Sequence, residues 1–348
     1  MTHRERFFAA VNHQKCDRAP ADFSSTKPVA EGLRARLGVN TQEEMLEALG
    51  IDMRAVGFDY HQQGQVLPDA EGWKKDIWGV LRKPYVEGSG EPSVIAAFNE
   101  HTTLQDIEAH PWPSAARLDF SNVKSSLLAH HDKYITYGGP WCPFFHEASA
   151  IMVEADFYVK MHTDPEVVHA LIKNVVDYEI MVWRKYLDAA QGLLDVMYVG
   201  NDFGTQLSLV VSPAMWEKFV RKPLKRFYDL GHEYGCRVMQ HSCGAIGDII
   251  PWLIADGVDI LDPIQVACSG MGLGELKNSF GSKITFHGGV DTQTVLPFGS
   301  VSEVRRQVND YLQMFRESGG YILTSSQALM EDIPYDNILA MYEENNRK

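Results

Sequence analysis

Residues 237–261 read RVMQHSCGAIGDIIPWLIADGVDIL, and this stretch decides the fold. It begins with a β-rich run at residues 237–240 and ends with a second one at residues 258–261. The residues between the two runs follow a helical period. A strand, a helix and a second strand in this order are typical of the βα units from which parallel sheets are built.

The same alternation continues along the chain from about residue 130, and two further β-rich runs lie upstream. The predicted strands are residues 19–23, 53–58, 134–137, 196–199, 237–240, 258–261, 284–286 and 321–323. Helices are predicted to begin at Pro165 and at Pro213, and Pro223 should kink the second of them. Eight strands without a Gly-x-Gly-x-x-Gly turn after the first favour a (β/α)₈ TIM barrel over a doubly wound sheet.

We expect the whole chain, residues 1–348, to form a single domain. Residues 62–98 interrupt the βα pattern because they are rich in glycine and aromatic residues and have little helical period. The sequence therefore predicts a β-hairpin insertion at 62–98, near the N-terminus of the barrel.

Charge and composition exclude several classes of protein. The net charge of −14 argues against a protein that binds the phosphates of nucleic acid. No apolar run approaches the roughly 18 residues of a membrane span. Thr2 and Glu5 have the spacing of a helix capping box rather than of a signal peptide. Five scattered cysteines predict reduced thiols and a cytoplasmic protein.

In a barrel of this kind the active site lies where the strands end, so the residues after each predicted strand are the candidates. Many of them are polar, although polar residues also favour loops. The polar residues at these places are Ser24, Ser25, Asp59, Tyr60, His61, Asn201, Asp202, His241, Ser242, Cys243, Asp262, His287, Asp291, Ser325, Ser326 and Gln327.

His241-x-Cys243 is the sharpest local signal. Imidazole nitrogen and thiolate sulfur are preferred ligands of Zn²⁺, and one intervening residue lets both side chains turn toward a strand end. The alternative is a packed histidine beside a buried thiol. A zinc site would need a third ligand from elsewhere in the chain.

Three acids are candidate catalytic residues. Asp202 and Asp291 lie among glycines, which permit close approach of the backbone to a ligand, and either could act as an acid or base. Alternatively, each caps the helix that follows. Glu147 follows a run of aromatic residues that either line a pocket or belong to the core.

Motifs along nearly the whole chain carry a resemblance to a known family. They are Thr2-x-Arg4-Glu5-Arg6-Phe7, Asp17-Arg18-Ala19-Pro20, Gly138-Gly139-Pro140, Asn201-Asp202-x-Gly204-x-Gln206, His241-Ser242-Cys243-Gly244, Leu261-Asp262-Pro263-x-Gln265, Phe286-His287-Gly288-Gly289-Val290-Asp291-Thr292-Gln293 and Pro334-x-x-Asn337-Ile338. With these motifs the chain resembles the uroporphyrinogen decarboxylase superfamily, and within it the branch of corrinoid-dependent methyltransferases and O-demethylases. The decarboxylases carry an arginine-rich segment near the N-terminus, where this chain reads FSSTKP at residues 23–28.

The resemblance implies a Zn²⁺ ion held by His241, Cys243 and a residue of the last strand loop. That last place is occupied here by Gln327, and a neutral amide is a poor zinc ligand. Three readings stay open: the metal binds weakly, an acid such as Glu147, Asp202 or Glu331 replaces the missing ligand, or the metal is lost.

The implied function is transfer of a methyl group between a small methylated substrate, such as a methoxylated aromatic, and the cobalt of a separate corrinoid protein. The resemblance implies that the cobalamin would come from that partner. We expect Asn201, His287, Gln327 and Tyr60 to bind substrate. The alternatives are a tetrapyrrole decarboxylase and a ligand-binding relative without catalysis, and a homodimer is left open.

Overall fold

One curled sheet of seven parallel strands lies at the centre of the computed structural model, which describes residues 1–61, 72–83 and 94–347. In chain order the strands are β1 (Met53–Gly57), β2 (Lys74–Lys75), β3 (Leu81–Arg82), β4 (Val94–Ile95), β5 (Ile135–Gly139), β6 (Val196–Gly200), β7 (Arg237–His241), β8 (Ile260–Ile264), β9 (Thr285–Gly288) and β10 (Tyr321–Ile322). The sheet has the order β1-β5-β6-β7-β8-β9-β10. The fold is therefore α/β and TIM-barrel-like.

Helices connect successive strands of this sheet. They are α1 (His3–Val11), α2 (Lys27–Leu37), α3 (Gln42–Leu49), α4 (Leu104–Ala109), α5 (Val123–Leu128), α6 (Phe144–Ile151), α7 (Glu154–Thr163), α8 (Pro165–Ala190), α9 (Pro213–Trp216), α10 (Lys222–Glu233), α11 (Ile250–Asp256), α12 (Leu273–Phe280), α13 (Val295–Phe298), α14 (Val301–Phe315) and α15 (Tyr335–Asn346). The helix starts predicted at Pro165 and Pro213 are confirmed. A π-helical turn, Glu217–Arg221, precedes Pro223, whose missing N–H interrupts the regular helical hydrogen bonds.

The strand predicted at residues 19–23 is reduced to one parallel bridge, from Ala21 to Leu323. Asp22 N–H donates to the Leu323 carbonyl at 3.0 Å, and Asp52 N–H donates to the Ala21 carbonyl at 2.9 Å. The segment thus hydrogen-bonds to both ends of the sheet. A longer ladder does not form because Pro20 has no N–H to donate. The prediction of eight regular strands is corrected to seven.

The strands carry two layers of side chains on the face where α1 packs. The first layer is apolar, and with Phe7 and Val11 of α1 it forms one cluster; its strand residues are Met53, Ile135, Val196, Met239, Ile260 and Ile322. Because side chains alternate along a strand, residues two positions further on share the same face. Those positions hold Tyr198, His241 and Asp262. Apolar packing therefore fills one end of the sheet, and polar side chains occupy the other.

The N-terminal motifs anchor α1 to the sheet. Thr2 and Glu5 form the predicted capping box. Arg6 and Arg18 each place a guanidinium nitrogen within 2.7 Å of the carboxylate of Asp52, which is fully buried. Arg4 makes two hydrogen bonds to Asp195. Charged groups that are buried require partners of this kind, so these motif residues stabilise the fold.

The predicted hairpin insertion at 62–98 lies partly outside the described residues. Within the described part, β3 pairs in antiparallel register with β2 and with β4, which makes a small three-stranded sheet. In the part of the chain that the structure describes, no helix is long and apolar enough to cross a membrane.

Candidate metal centre and adjoining cavity

Asp202, His241 and Cys243 form a cluster at the carboxyl ends of β6 and β7. His241 is the last residue of β7, and Gly200, the last residue of β6, lies opposite it in the sheet. Two residues beyond each strand end stand Asp202 and Cys243. The parallel register therefore brings together residues that are about 40 positions apart in sequence.

The distances within the cluster fit a tetrahedral zinc ion. His241 Nε2 lies 3.4 Å from Cys243 Sγ and 3.2 Å from an oxygen of Asp202. Ligands at about 2.0–2.3 Å from a tetrahedral zinc lie roughly 3.3–3.7 Å from one another. All three ligand atoms lie within 4.8 Å of one another. Nitrogen, sulfur and carboxylate oxygen are the donor set that zinc takes in proteins.

Asp262 orients the imidazole of His241. Nδ1 of His241 donates to Asp262 Oδ2 at 2.7 Å, and the hydroxyl of Tyr198 donates to the same oxygen at 2.5 Å. A carboxylate can only accept, so Nδ1 must carry the proton and Nε2 faces Cys243. Histidine ligands of metals usually donate their second nitrogen to a carboxylate in this way. Asp262 is among the polar residues that follow a predicted strand, but no role in binding metal or substrate was predicted for it.

The polar network continues behind Asp262. Nδ1 of His287 donates to Asp262 at 2.5 Å, and Nε2 of His287 donates to Asp22 at 3.1 Å. Burial alone would lower the pKa of His287, but the charges and hydrogen bonds of the two carboxylates raise it to about 9. His287, predicted to bind substrate, is buried between the carboxylates of Asp22 and Asp262. Through Asp262 it is connected to His241.

The same electrostatics apply to His241. Burial favours its neutral form, but hydrogen bonds to Asp202 and Asp262 raise its pKa well above the usual value. Burial would raise the pKa of Asp202, yet His241 and the backbone N–H of Cys243 together lower it. A metal ion that binds this cluster must therefore displace the proton on His241 Nε2.

The structure separates the alternatives for a third ligand. Gln327 Nε2 donates to Cys243 Sγ at 2.7 Å, so its amide contacts a member of the cluster through nitrogen. Glu331 accepts a hydrogen bond from Thr26, and Glu147 pairs with His61. Of these three acids, Asp202 alone belongs to the group of described residues that could hold a metal ion.

A cavity of about 440 Å³ adjoins the cluster at the ends of β1 and β5. Its lining residues are Gly57, Phe58, Asp59, Tyr60, His61, Gly139, Trp141, Pro143 and Glu147. The ring of Trp141 also lies 5.1 Å from the ring of His241, so this side chain contacts both the cavity and the cluster. Gly200 permits this placement, because a Cβ there would lie 2.0 Å from the Trp141 ring.

The remaining predicted site residues lie near strand ends but outside the cluster. Asn201 is buried, and its Oδ1 accepts from the N–H of Phe145 at 2.9 Å. The carboxylate of Asp291 accepts from the N–H groups of Gln293 and Thr294 at 2.8 and 3.2 Å, just before α13. This is the capping arrangement that the sequence offered as an alternative for Asp291.

Replacing Asp291 with alanine should lower the free energy of unfolding by about 1 kcal/mol, because backbone donors lose their acceptor. Zinc content should stay unchanged. Urea unfolding and elemental analysis measure the two quantities, and Asp291→Asn, which keeps an oxygen acceptor, is the matched control. Lost turnover with unchanged stability would instead favour the catalytic role predicted for Asp291.

A barrel-like sheet with a cluster at its carboxyl end that could hold a metal ion defines the class of protein. Residues 85–347 match the family model of uroporphyrinogen decarboxylase (URO-D), and the chain belongs to this family. Among solved structures, a methyltransferase from Methanosarcina mazei has the same fold, with a TM-score of 0.68 and 17% sequence identity. That match covers 99% of this chain and 98% of the other. A search of curated proteins finds no match.

Proposed function

We propose that this chain is a methyltransferase that moves a methyl group between a small methylated substrate, a methoxylated aromatic or similar, and the cobalt of a separate corrinoid protein. The observation that supports this most is the cluster of Asp202, His241 and Cys243 in a chain of the uroporphyrinogen decarboxylase family. The fold shared with a methyltransferase adds support. The proposal treats residues 1–348 as one cytoplasmic domain.

The metal in this proposal is zinc, held by His241 Nε2, Cys243 Sγ and a carboxylate oxygen of Asp202. When bound, it would supply a Lewis acid that stabilises negative charge on the substrate heteroatom. Asp262 fixes the His241 tautomer that leaves Nε2 for the metal. Gln327 donates a hydrogen bond to the sulfur of Cys243.

The adjoining cavity is the proposed substrate site. Its volume of about 440 Å³ suits a small molecule, and Tyr60, Trp141 and Glu147 belong to its lining. None of the described residues that line it is lysine or arginine. A tetrapyrrole with several carboxylates would meet no lysine or arginine there, so the cavity favours methyl transfer over porphyrinogen decarboxylation. Asn201 and Gln327, at neighbouring strand ends, are proposed to complete the substrate contacts.

The carboxylate in the cluster favours one direction of reaction. The carboxylate of Asp202 is a harder ligand than a thiolate or an imidazole. A third ligand that is hard suits polarisation of an ether oxygen better than activation of a thiol. We therefore propose demethylation of the donor, with the corrinoid protein as methyl acceptor.

The test is a methyl-transfer assay with reduced cobalamin and a panel of methoxylated aromatics, methylamines, thiols and methylated folate. With the correct donor, the absorbance spectrum of cob(I)alamin should change to that of methylcobalamin. If no donor produces this change while a porphyrinogen is decarboxylated, the decarboxylase alternative holds. Ligand binding without any turnover would identify a non-catalytic relative.

A further inference from the structure

We infer that His61, held in place by Glu147, donates the proton to the substrate heteroatom from which the methyl group is removed. This inference rests on the proposed function and adds a catalytic residue to it. Both residues line the cavity beside the metal cluster, and Nε2 of His61 lies 3.0 Å from an oxygen of Glu147. Glu147 acts through His61 and is a positioning residue.

The pair is placed so that one nitrogen of His61 faces Glu147 and the other remains for a ligand. Glu147 accepts at Nε2, and among the described residues Nδ1 of His61 has no hydrogen-bond partner. About a third of the His61 side chain is exposed, against 13% of Glu147. The imidazole can therefore meet a molecule in the cavity while the carboxylate stays behind it.

The surroundings of His61 fix its orientation. Its ring stacks on Tyr60 with centroids 4.3 Å apart, and its backbone N–H donates to Asp59 at 3.0 Å. The hydroxyl of Tyr60 in turn contacts the fully buried Glu179 at 3.4 Å. A catalytic group held on two sides in this way needs little rearrangement before it reacts.

The charges around His61 favour its protonated form. Burial works against the imidazolium, but the hydrogen bond and charge of Glu147, with smaller contributions from Asp59 and Asp76, raise the pKa of His61. Burial and the charge of Glu147 also raise the pKa of Glu179 far above its usual value, so Glu179 stays neutral. His61 is therefore the group in this cavity with a proton to give near neutral pH.

Demethylation leaves a negative charge on oxygen, and a proton from His61 neutralises it. The cobalt of the reduced corrinoid donates two electrons to the methyl carbon, and the electron pair of the broken carbon–oxygen bond stays on oxygen. The proton on Nδ1 of His61 then moves to that oxygen. The product leaves as a neutral alcohol or phenol, and His61 takes up a new proton from solvent.

The test compares wild type with His61→Gln on a series of para-substituted anisoles, with reduced cobalamin as methyl acceptor. For electron-rich anisoles, whose phenolates are poor leaving groups, kcat should fall about 100-fold in His61→Gln. For 4-nitroanisole it should fall less than about threefold, because that phenolate leaves without a proton. His101→Gln, at an exposed histidine paired with Glu100, is the matched control.

A second variant tests the positioning residue without zinc or corrinoid. Glu147→Gln should lower the pKa of His61, read from the NMR titration of its ring in metal-free protein. Since catalysis needs protonated His61, activity is lost as pH rises through this pKa, and the loss should begin at lower pH in Glu147→Gln. Zinc content should be the same in all variants.

The possible results separate this inference from the proposed function. Steeper dependence on the leaving group in His61→Gln supports the inference. Equal losses for all anisoles, or an unchanged titration in Glu147→Gln, would overturn it while methyl transfer by wild type stands. Absence of methyl transfer from every donor by wild type would overturn both.

Discussion

Cys243→Ala is expected to lose zinc and methyl transfer together while keeping its fold. The thiolate is one of three proposed ligands, and alanine offers no donor atom in its place. A Lewis acid stabilises the charge of a transition state by several kcal/mol. Its loss should reduce turnover about 1000-fold, at about 1.4 kcal/mol for each factor of ten. Elemental analysis and the cobalamin assay measure the two effects.

The control for this variant is Cys236→Ala. Cys236 is also a free cysteine, but it is buried, and its thiol donates to the carbonyl of Leu194 before β6 begins. That variant should keep close to one zinc per chain. Melting temperatures should be compared in zinc-free protein, because a bound metal stabilises the native state by itself. Full activity in metal-free wild type would contradict the proposed role of zinc.

Strand positions could be predicted well because β-rich runs and turns are local signals. The runs at residues 196–199 and 237–240 lie within β6 and β7, and each strand extends one residue further. The segment at 19–23 was predicted as a full strand because its composition is similar. Pro20 and the position of this segment between the two edges of the sheet limit it to one bridge. The position between the edges depends on the tertiary fold, so the local sequence does not indicate it.

The site was predicted where its signal is local and missed where it depends on register. His241-x-Cys243 is a short motif, and Asp202 was among the acids considered as a third ligand. Asp262 was only one of many polar residues after predicted strands, and its place beside His241 depends on the parallel pairing of β7 and β8. Counting two residues on from the apolar Ile260 would have placed Asp262 on the same face.

The pair of His61 and Glu147 could not be found from the sequence. The two residues are 86 positions apart, and nothing in either local segment indicates a partner. Their contact depends on the loop after β1 and on α6, which follows β5. The pairing of β1 with β5 brings these two segments together.

Asp262→Asn should weaken zinc binding 10- to 100-fold, although Asp262 does not belong to the cluster. Its carboxylate accepts from Nδ1 of His241 and holds the tautomer that leaves Nε2 for the metal. An asparagine can present its NH₂ group to Nδ1, which would favour the opposite tautomer with the proton on Nε2. Zinc must then displace that proton or bind a misoriented ring.

Asp259→Asn is the matched control, because Asp259 contacts His232 Nε2 at 3.0 Å and so forms another pair of aspartate and histidine. Asp259 immediately precedes β8, whereas Asp262 lies within that strand toward its carboxyl end, beside the cluster. Competition with a chelator measures zinc affinity, and circular dichroism shows whether each variant is folded. Since only Asp262 contacts a zinc ligand, only its variant should release zinc at lower chelator concentrations. Equal affinities in the two variants would mean that His241 keeps its tautomer without Asp262, and that Tyr198, 2.9 Å from Nδ1, is sufficient to hold it.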